Sequence, residues 1–362
     1  MNERSAPFTS VKRYRGLLLA LVLVTLVCAV ASVAIGSVGV PIPDVIRVVV
    51  AHIGFGTADG TAADQIVWSV RVPRTILAIV AGGGLALTGA VIQAVVRNPL
   101  GDPSLIGVTP GASLGAVAVI VLGGGAVGTG SLAVAAFVGA LATFGVVFLL
   151  GHSDGRWPPT RLILAGVAIG YLVSSMTYFL QTIATPNQVQ RVLFWSLGSV
   201  GGADCGSLLI PTLVVVAGAV VVLGSGHALN ALVGGDDLAA SLGIDVPRLQ
   251  VMLLLVVAAM TGSIVAVAGG IAFVGLVVPH VARLLVGADH RRMLVASLLL
   301  GAVFMMMADL VARTVRAPAE LPIGVVTAAV GAPFFLWLLT GRRSLRRRRR
   351  EPVSAVAAVT AP

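Results

Sequence analysis

Charge is what this sequence has least of. Only 10% of its 362 residues are Asp, Glu, Lys or Arg, where a soluble globular chain carries roughly 25%. Cysteine is nearly absent as well. Cys28 and Cys205 both lie in apolar stretches, which excludes a disulfide framework and a thiolate metal site. No GxxxxGK[ST] nucleotide loop, HExxH or GxSxG occurs, and the five histidines (His52, His152, His227, His280, His290) are dispersed. The chain therefore has no chemistry of its own for an enzyme, and any ATP that drives it is hydrolysed on another chain. Acids inside apolar runs are almost missing too. Asp309 and Glu320 are the only two, both near a run's outer boundary, which disfavours a proton- or sodium-coupled carrier.

What is present is apolar residue and glycine. The chain is 57% hydrophobic with 44 glycines and a mean hydropathy of +1.04, the composition of closely packed membrane helices. The net charge of +10 is not a nucleic-acid footprint. Seven of the 24 basic residues form one tail, RRSLRRRRR, which reads as a cytosolic anchor attracted to anionic lipid. The run after Lys12, Arg13 and Arg15 is too long for a signal peptide and reads as a retained first span.

A helix needs about 20 residues to cross the hydrocarbon. Nearly uncharged stretches fall at 16–43, 75–96, 103–150, 162–190, 205–235, 249–282, 293–308 and 317–340. Glycine runs at 123–130 and 268–270 divide two of them, giving ten expected spans. With both termini inside, eighteen basic residues lie on the cytosolic side and six outside, as the positive-inside trend requires. The expected organisation is a cytosolic segment 1–15, a transmembrane domain 16–340 and a basic cytosolic tail 341–362. The inner segment SGHALNALVGGDDLAASLGIDVPR (225–248) reads as two short helices joined by a turn. Such an element is a candidate dock for a soluble partner.

A weak internal repeat is visible. GLALTGAVIQAVVRNP (84–99) aligns with SIVAVAGGIAFVGLVVPH (263–280), each placing a glycine ten residues before a proline: Gly89 and Pro99, Gly269 and Pro279. The halves, about 72–180 and 249–340, would be inverted copies. Within WSVRVPRTI, Arg71 and Arg74 bracket Pro73 three residues apart, at the outer end of span two. Arginine there opposes the positive-inside trend, so the pair is expected to project outward toward an acidic partner or an anionic solute. Arg313 and Arg316 form a second outer pair. The stretch RNPLGDPSLIG, with Asn98, Pro99, Gly101 and Pro103, cannot continue a straight helix. It reads either as an ordinary inner loop or as a non-helical element near a pathway. FVGLVVPHVARLL reads as a short returning span bent at Pro279, with Arg283 near the inner boundary.

Three of these motifs together carry a resemblance. VRVPRTILAIVAGGGLALTGAVIQAVVRNPLGDPSLIGVTPGA, GGIAFVGLVVPHVARLLVGADHR and AELPIGVVTAAVGAPFFLWLL are similar to the permease subunits of bacterial ABC importers for iron–siderophore, haem and vitamin B12, in order and spacing over about residues 15–342. The resemblance implies an all-α type II importer permease fold of ten transmembrane helices in the cytoplasmic membrane, and no cofactor bound directly. It implies pairing with a second permease subunit, identical or paralogous. Two cytosolic ATP-binding subunits, using ATP and Mg, would dock between spans six and seven, at about Leu229, Leu232, Gly234, Asp237, Leu238, Leu242 and Gly243. An extracytoplasmic solute-binding protein would present acidic residues to Arg71, Arg74 and Arg313, with a less certain counterpart at Arg316. Iron–siderophore is the expected cargo, with vitamin B12 or haem as the alternative. A proton-coupled carrier and a non-transporting scaffold are the remaining rivals.

Overall fold

The computed structural model describes residues 10–55, 60–123, 129–153 and 155–348. Residues 1–9 of the expected N-terminal segment, 124–128 of the glycine run at 123–130, and 349–362 of the basic tail lie outside the described residues. Among the described residues the fold is helical throughout.

Helix α1 (Val11–Ala34) starts where Ser10 accepts a hydrogen bond from the Arg13 N–H, covering an N–H that the first turn leaves without a partner. It is apolar on every side and mostly exposed, as a helix facing lipid must be. The outer segment folds into α2 (Ile42–Val50) and α3 (Ala62–Asp64), each joined to a wider π-turn stretch, Ala51–Phe55 and Gln65–Arg71. Val45, Val48 and Val67 form its small core beside Trp68, whose ring stacks on His52 at 4.2 Å. The second π stretch runs directly into α4 (Val72–Val95), with Pro73 just past the junction.

Helix α4 is the axis of the protein, buried along nearly its whole length. It is followed by a short 3₁₀ turn (Pro103–Ile106), α5 (Val108–Leu122), α6 (Thr129–Gly151), α7 (Pro159–Thr182), α8 (Pro186–Ser196) and α9 (Cys205–Gly224). Two short helices, α10 (Gly226–Val233) and α11 (Asp236–Ser241), precede α12 (Val246–Ala268), α13 (Val274–Val286), α14 (His290–Thr314) and α15 (Ile323–Arg348). Helices α14, α12, α13 and α9 pack around α4. Backbone meets backbone at two crossings. A Cβ on Gly82 would collide with the Gly301 carbonyl, and one on Gly89 with that of Gly275. Small residues at such crossings are how membrane helices gain contact without a hydrophobic drive.

Among the described residues seven helices are long and apolar enough to cross a membrane, and three further apolar stretches are shorter: Val108–Leu122, Val274–Val286 and Ile323–Leu338, the last being the apolar part of α15. Seven of the ten expected spans therefore have full crossing length and three are shorter. At 1.5 Å per residue α5 and α13 reach only about 20–23 Å, against a hydrocarbon core of about 30 Å, whereas α15 continues past its apolar part to Arg348. Left-handed backbone bounds the first two: Gly107 before α5, Gly269 and Phe273 before α13, and Gly287 after it. The expected fifth span also divides, since α7 stops at Thr182 and Thr185 and Gln188 form a capping box that starts α8.

Candidate functional site

Three places gather the residues singled out by sequence. At the outer end of α4, Arg71, Arg74 and Arg313 are 3%, 5% and 1% exposed. Their expected outward projection is therefore corrected. Arg71 donates through Nη1 to the carbonyls of Val33 and Ala34, at 3.0 and 2.7 Å, and through Nη2 to that of Val38. It caps the C-terminal end of α1, where carbonyls lack partners and cations are favoured. Arg74 turns elsewhere. Its Nε donates to Asp309 Oδ1 at 2.9 Å, and its Nη1 to both Glu320 oxygens at 2.8 and 2.9 Å. Arg313 donates to Ser32 Oγ at 2.6 Å and pairs with Asp309 Oδ2 at 3.2 Å. A guanidinium at this depth is costly unless paired; Asp309, Glu320 and the α1 terminus supply the partners. Arg316 alone of the four is exposed. The missed signal was Asp309 itself, four residues before Arg313.

On the opposite end, Arg97 has a left-handed backbone. It donates to the Leu232 carbonyl at 3.0 Å and pairs with Asp236. This ties α4 to the α10–α11 element. Asn230 ties it to α14, donating to Asp289 Oδ1 at 2.8 Å while accepting from the His290 N–H at 2.8 Å. Burial opposes ionisation of Asp289, but the Asn230 amide, the Arg291 N–H and the charges of Arg291 and Arg292 hold its carboxyl below the usual range. The coupling candidates divide into two groups. Leu229 and Leu232 are fully buried and anchor α10. Leu238 and Leu242 are 49% and 64% exposed, and Gly234, Asp237 and Gly243 are exposed with them.

Between these ends lies a cleft of about 440 Å³, lined by Asp102, Ser104 and Thr109 on one side and by Ser196, Leu197, Gly270–Phe273, Leu276 and Gly324 on the other. Two non-helical segments meet across it. In the first, Asn98 Oδ1 accepts from the Leu100 N–H at 3.0 Å and Asp102 Oδ1 from the Ser104 N–H at 2.9 Å. In the second, freed backbone groups pair with neighbouring chain: Ser199 N–H to Ala268 O at 2.8 Å, and Gly324 N–H to Leu197 O at 2.9 Å. Irregular backbone at membrane depth is stable only when satisfied by protein in this way or when facing water. Of the expected pathway residues, Asn98, Pro99, Gly101, Pro103 and Gly269 belong to or border these segments without lining the cleft, and Pro279 sits inside α13. Ser196, Leu197 and Gly324 were not anticipated, because nothing local marks a residue that will face a cavity.

Pro279 has a definite consequence. Proline at that position removes the N–H that would bond to the carbonyl four residues earlier, Gly275. Buried Gln93 of α4 replaces it, donating through Nε2 to Gly275 O at 3.2 Å, while its Oε1 accepts from Arg283 Nη2 at 2.9 Å. The proline, the glutamine and the arginine form one hydrogen-bonded chain that binds α13 to α4. Arg283, expected near the inner boundary, is thereby held against Gln93.

A helical multi-span membrane protein with a protein-lined cleft has the architecture of a permease. The chain belongs to the FecCD transport family, whose family model matches residues 23–341. It is 39% identical, over 86% of its length and 82% of the relative's, to the cobalamin import system permease protein BtuC of Halobacterium salinarum. It is 38% identical, over 81% of its length and 90% of the relative's, to the hemin transport system permease protein HmuU of Yersinia pestis. Its fold matches a solved inward-facing conformation of a putative metal-chelate type ABC transporter. The TM-score is 0.80 at 30% identity, covering 91% of this chain and 99% of that one. The protein is a multi-pass permease subunit of an ABC importer, without ATPase activity of its own.

Proposed function

We propose that the chain, paired with a second permease subunit, forms the membrane path of a metal-chelate importer whose cargo is an iron–siderophore complex. The cleft carries this reading. In a ten-crossing topology with both termini cytosolic, Asp102 and Ser104 follow the inner end of α4, while Ser196, Leu197 and Gly270 adjoin the outer end of α12. One cavity therefore joins segments from opposite faces. The two halves support inversion: α4 leads through a non-helical segment into a 15-residue helix, and α12 through another into a 13-residue helix. The mixed, weakly polar lining suits passage of a bulky solute better than its retention.

In this reading an extracytoplasmic binding protein delivers the chelate at the outer face. Arg316 offers the accessible positive charge there. Arg74 becomes available to an acidic partner only by exchange with Glu320, and Arg71 and Arg313 hold the surface that the partner meets. Two ATP-binding subunits dock on the exposed face of α10–α11, through Leu238, Leu242 and Asp237, and ATP binding and hydrolysis on them alternate the access of the cleft.

The names of the cobalamin and hemin relatives favour a second reading, in which the cargo is a corrin or porphyrin chelate. Uptake into proteoliposomes holding the full transporter and its cognate binding protein, with ferric siderophores, haem and cobalamin offered in turn, separates the two. ATP-dependent accumulation of a ferric siderophore alone supports the first. Accumulation of cobalamin or haem alone supports the second, and failure of all three refutes both.

A further inference from the structure

A second cavity, of about 520 Å³, opens at the cytosolic end of the helices, away from the cleft. Its walls come from the start of α1 (Val11, Tyr14, Arg15, Leu18), the junction of α9 and α10 (Leu223, Gly224, Gly226, His227) and the start of α14 (Asp289, Arg291, Arg292). Its size falls in the range of roughly 300–1,000 Å³ common to small-molecule sites.

The lining has two chemistries, arranged by depth. Arg15, Arg291 and Arg292 give one end three guanidinium groups against a single carboxylate. That carboxylate, Asp289, is engaged by the Asn230 amide and the Arg291 N–H at 2.8 and 3.1 Å. Arg292 lies over the Tyr14 ring, 5.4 Å from its centroid, and the Tyr14 hydroxyl reaches the Arg292 carbonyl at 3.5 Å. Tyrosine with arginine is the side-chain pair expected at headgroup level. The other end is apolar, with Leu18 and Leu223 leading onto faces of α1 and α9 whose Leu19, Leu23, Val216 and Val220 are exposed.

We infer that this cavity is a binding site for one anionic phospholipid of the cytoplasmic leaflet, with the phosphate held by Arg15, Arg291 and Arg292 and the acyl chains lying along α1 and α9. The charge selects an anionic headgroup, and the apolar exit selects a lipid over a free phosphate. The inference rests on the membrane placement of the helices and not on the identity of the cargo. Because the cavity shares Gly226 and His227 with α10, a bound lipid would also brace the element proposed to receive the ATP-binding subunits.

The test uses the full transporter in mild detergent, with native mass spectrometry counting retained lipid. Phosphatidylglycerol and phosphatidylcholine of equal chain length are added in parallel, with inorganic phosphate as the soluble probe. The inference predicts one retained phosphatidylglycerol per permease chain and no retained phosphatidylcholine. Neutralising Arg15→Gln, Arg291→Gln and Arg292→Gln should lower retention by about fivefold per charge. Leu18→Trp, which fills the apolar end and leaves every charge in place, should lower it too, while neutralising the tail arginines should not. Equal retention by the triple variant, equal retention of the two lipids, or loss on neutralising the tail would overturn the inference. Inorganic phosphate that displaces phosphatidylglycerol at comparable concentration would show a phosphate site without a lipid and would overturn it as well.

Discussion

The outer end of α4 and the cytosolic α10–α11 element invert each other's surface chemistry. At the outer end three arginines are folded inward, onto Asp309, Glu320 and the carbonyl end of α1. At the cytosolic end Leu238 and Leu242 are turned outward while their helical neighbours Leu229 and Leu232 are fully buried. Charge has gone inside and apolar surface outside, each against the usual preference. The first arrangement holds helices together, since α1, α4 and α14 meet at one ionic cluster. The second leaves apolar side chains uncovered, as the proposed contact with a partner requires. Residues singled out for docking on both faces thus divide into those that build the fold and those left available to a partner.

The sharpest way to break this contrast is Asp309→Ala. It leaves Arg74 and Arg313 buried around one missing carboxylate, and removing one member of a buried ionic cluster costs about 3–5 kcal/mol. Thermal unfolding of the purified permease should show a large loss of stability. If instead stability is kept and only binding-protein association falls, the arginines are docking groups and not structural ones. Next in size is Gln93→Leu, which leaves the Gly275 carbonyl and the Arg283 guanidinium without their shared partner, at about 1–3 kcal/mol. Gln93→Glu should recover part of it by keeping the Arg283 contact, as read by the same melts.

Two further substitutions should leave stability within about 0.5 kcal/mol, as exposed positions generally do, and act on assembly alone. Leu238→Asp should weaken co-purification of the ATP-binding subunits, whereas Leu232→Ala should lower the melting temperature first because that side chain is buried. Arg316→Glu should reduce binding-protein affinity modestly, by the amount of one rim charge, in a titration at low salt. A melting temperature lowered by Leu238→Asp as much as by Leu232→Ala would erase the distinction between the two faces of α10–α11.

Much of this architecture was legible in the sequence. The eight apolar runs carry the seven long and three shorter apolar helices found among the described residues, because hydropathy reports the solvent directly. The Gly-Gly and Asp-Asp pattern of 225–248 announced two short helices, and two of the residues that end α4, Asn98 and Pro99, announced the break that follows it. The direction in which the arginines point was not legible. Arg74 meets Asp309 235 residues away, and Gln93 meets Gly275 182 residues away. A single sequence shows the need for a partner but not which distant group meets it. The cleft was half legible for the same reason. Proline and glycine mark where backbone leaves the helix, but Ser196, Leu197 and Gly324 reach the cavity only through packing.

The central claim is that the cleft between residues 102–109 and 270–276 is the path, opening alternately to the two faces. With Cys28 and Cys205 replaced by serine, Ala272→Cys on the cleft wall can be labelled in proteoliposomes by a membrane-impermeant thiol reagent, applied from one side at a time. The account predicts labelling from one face in the resting transporter and from the opposite face when the ATP-binding subunits are trapped with a non-hydrolysable nucleotide. Labelling that never changes side, or that fails from both, would contradict it.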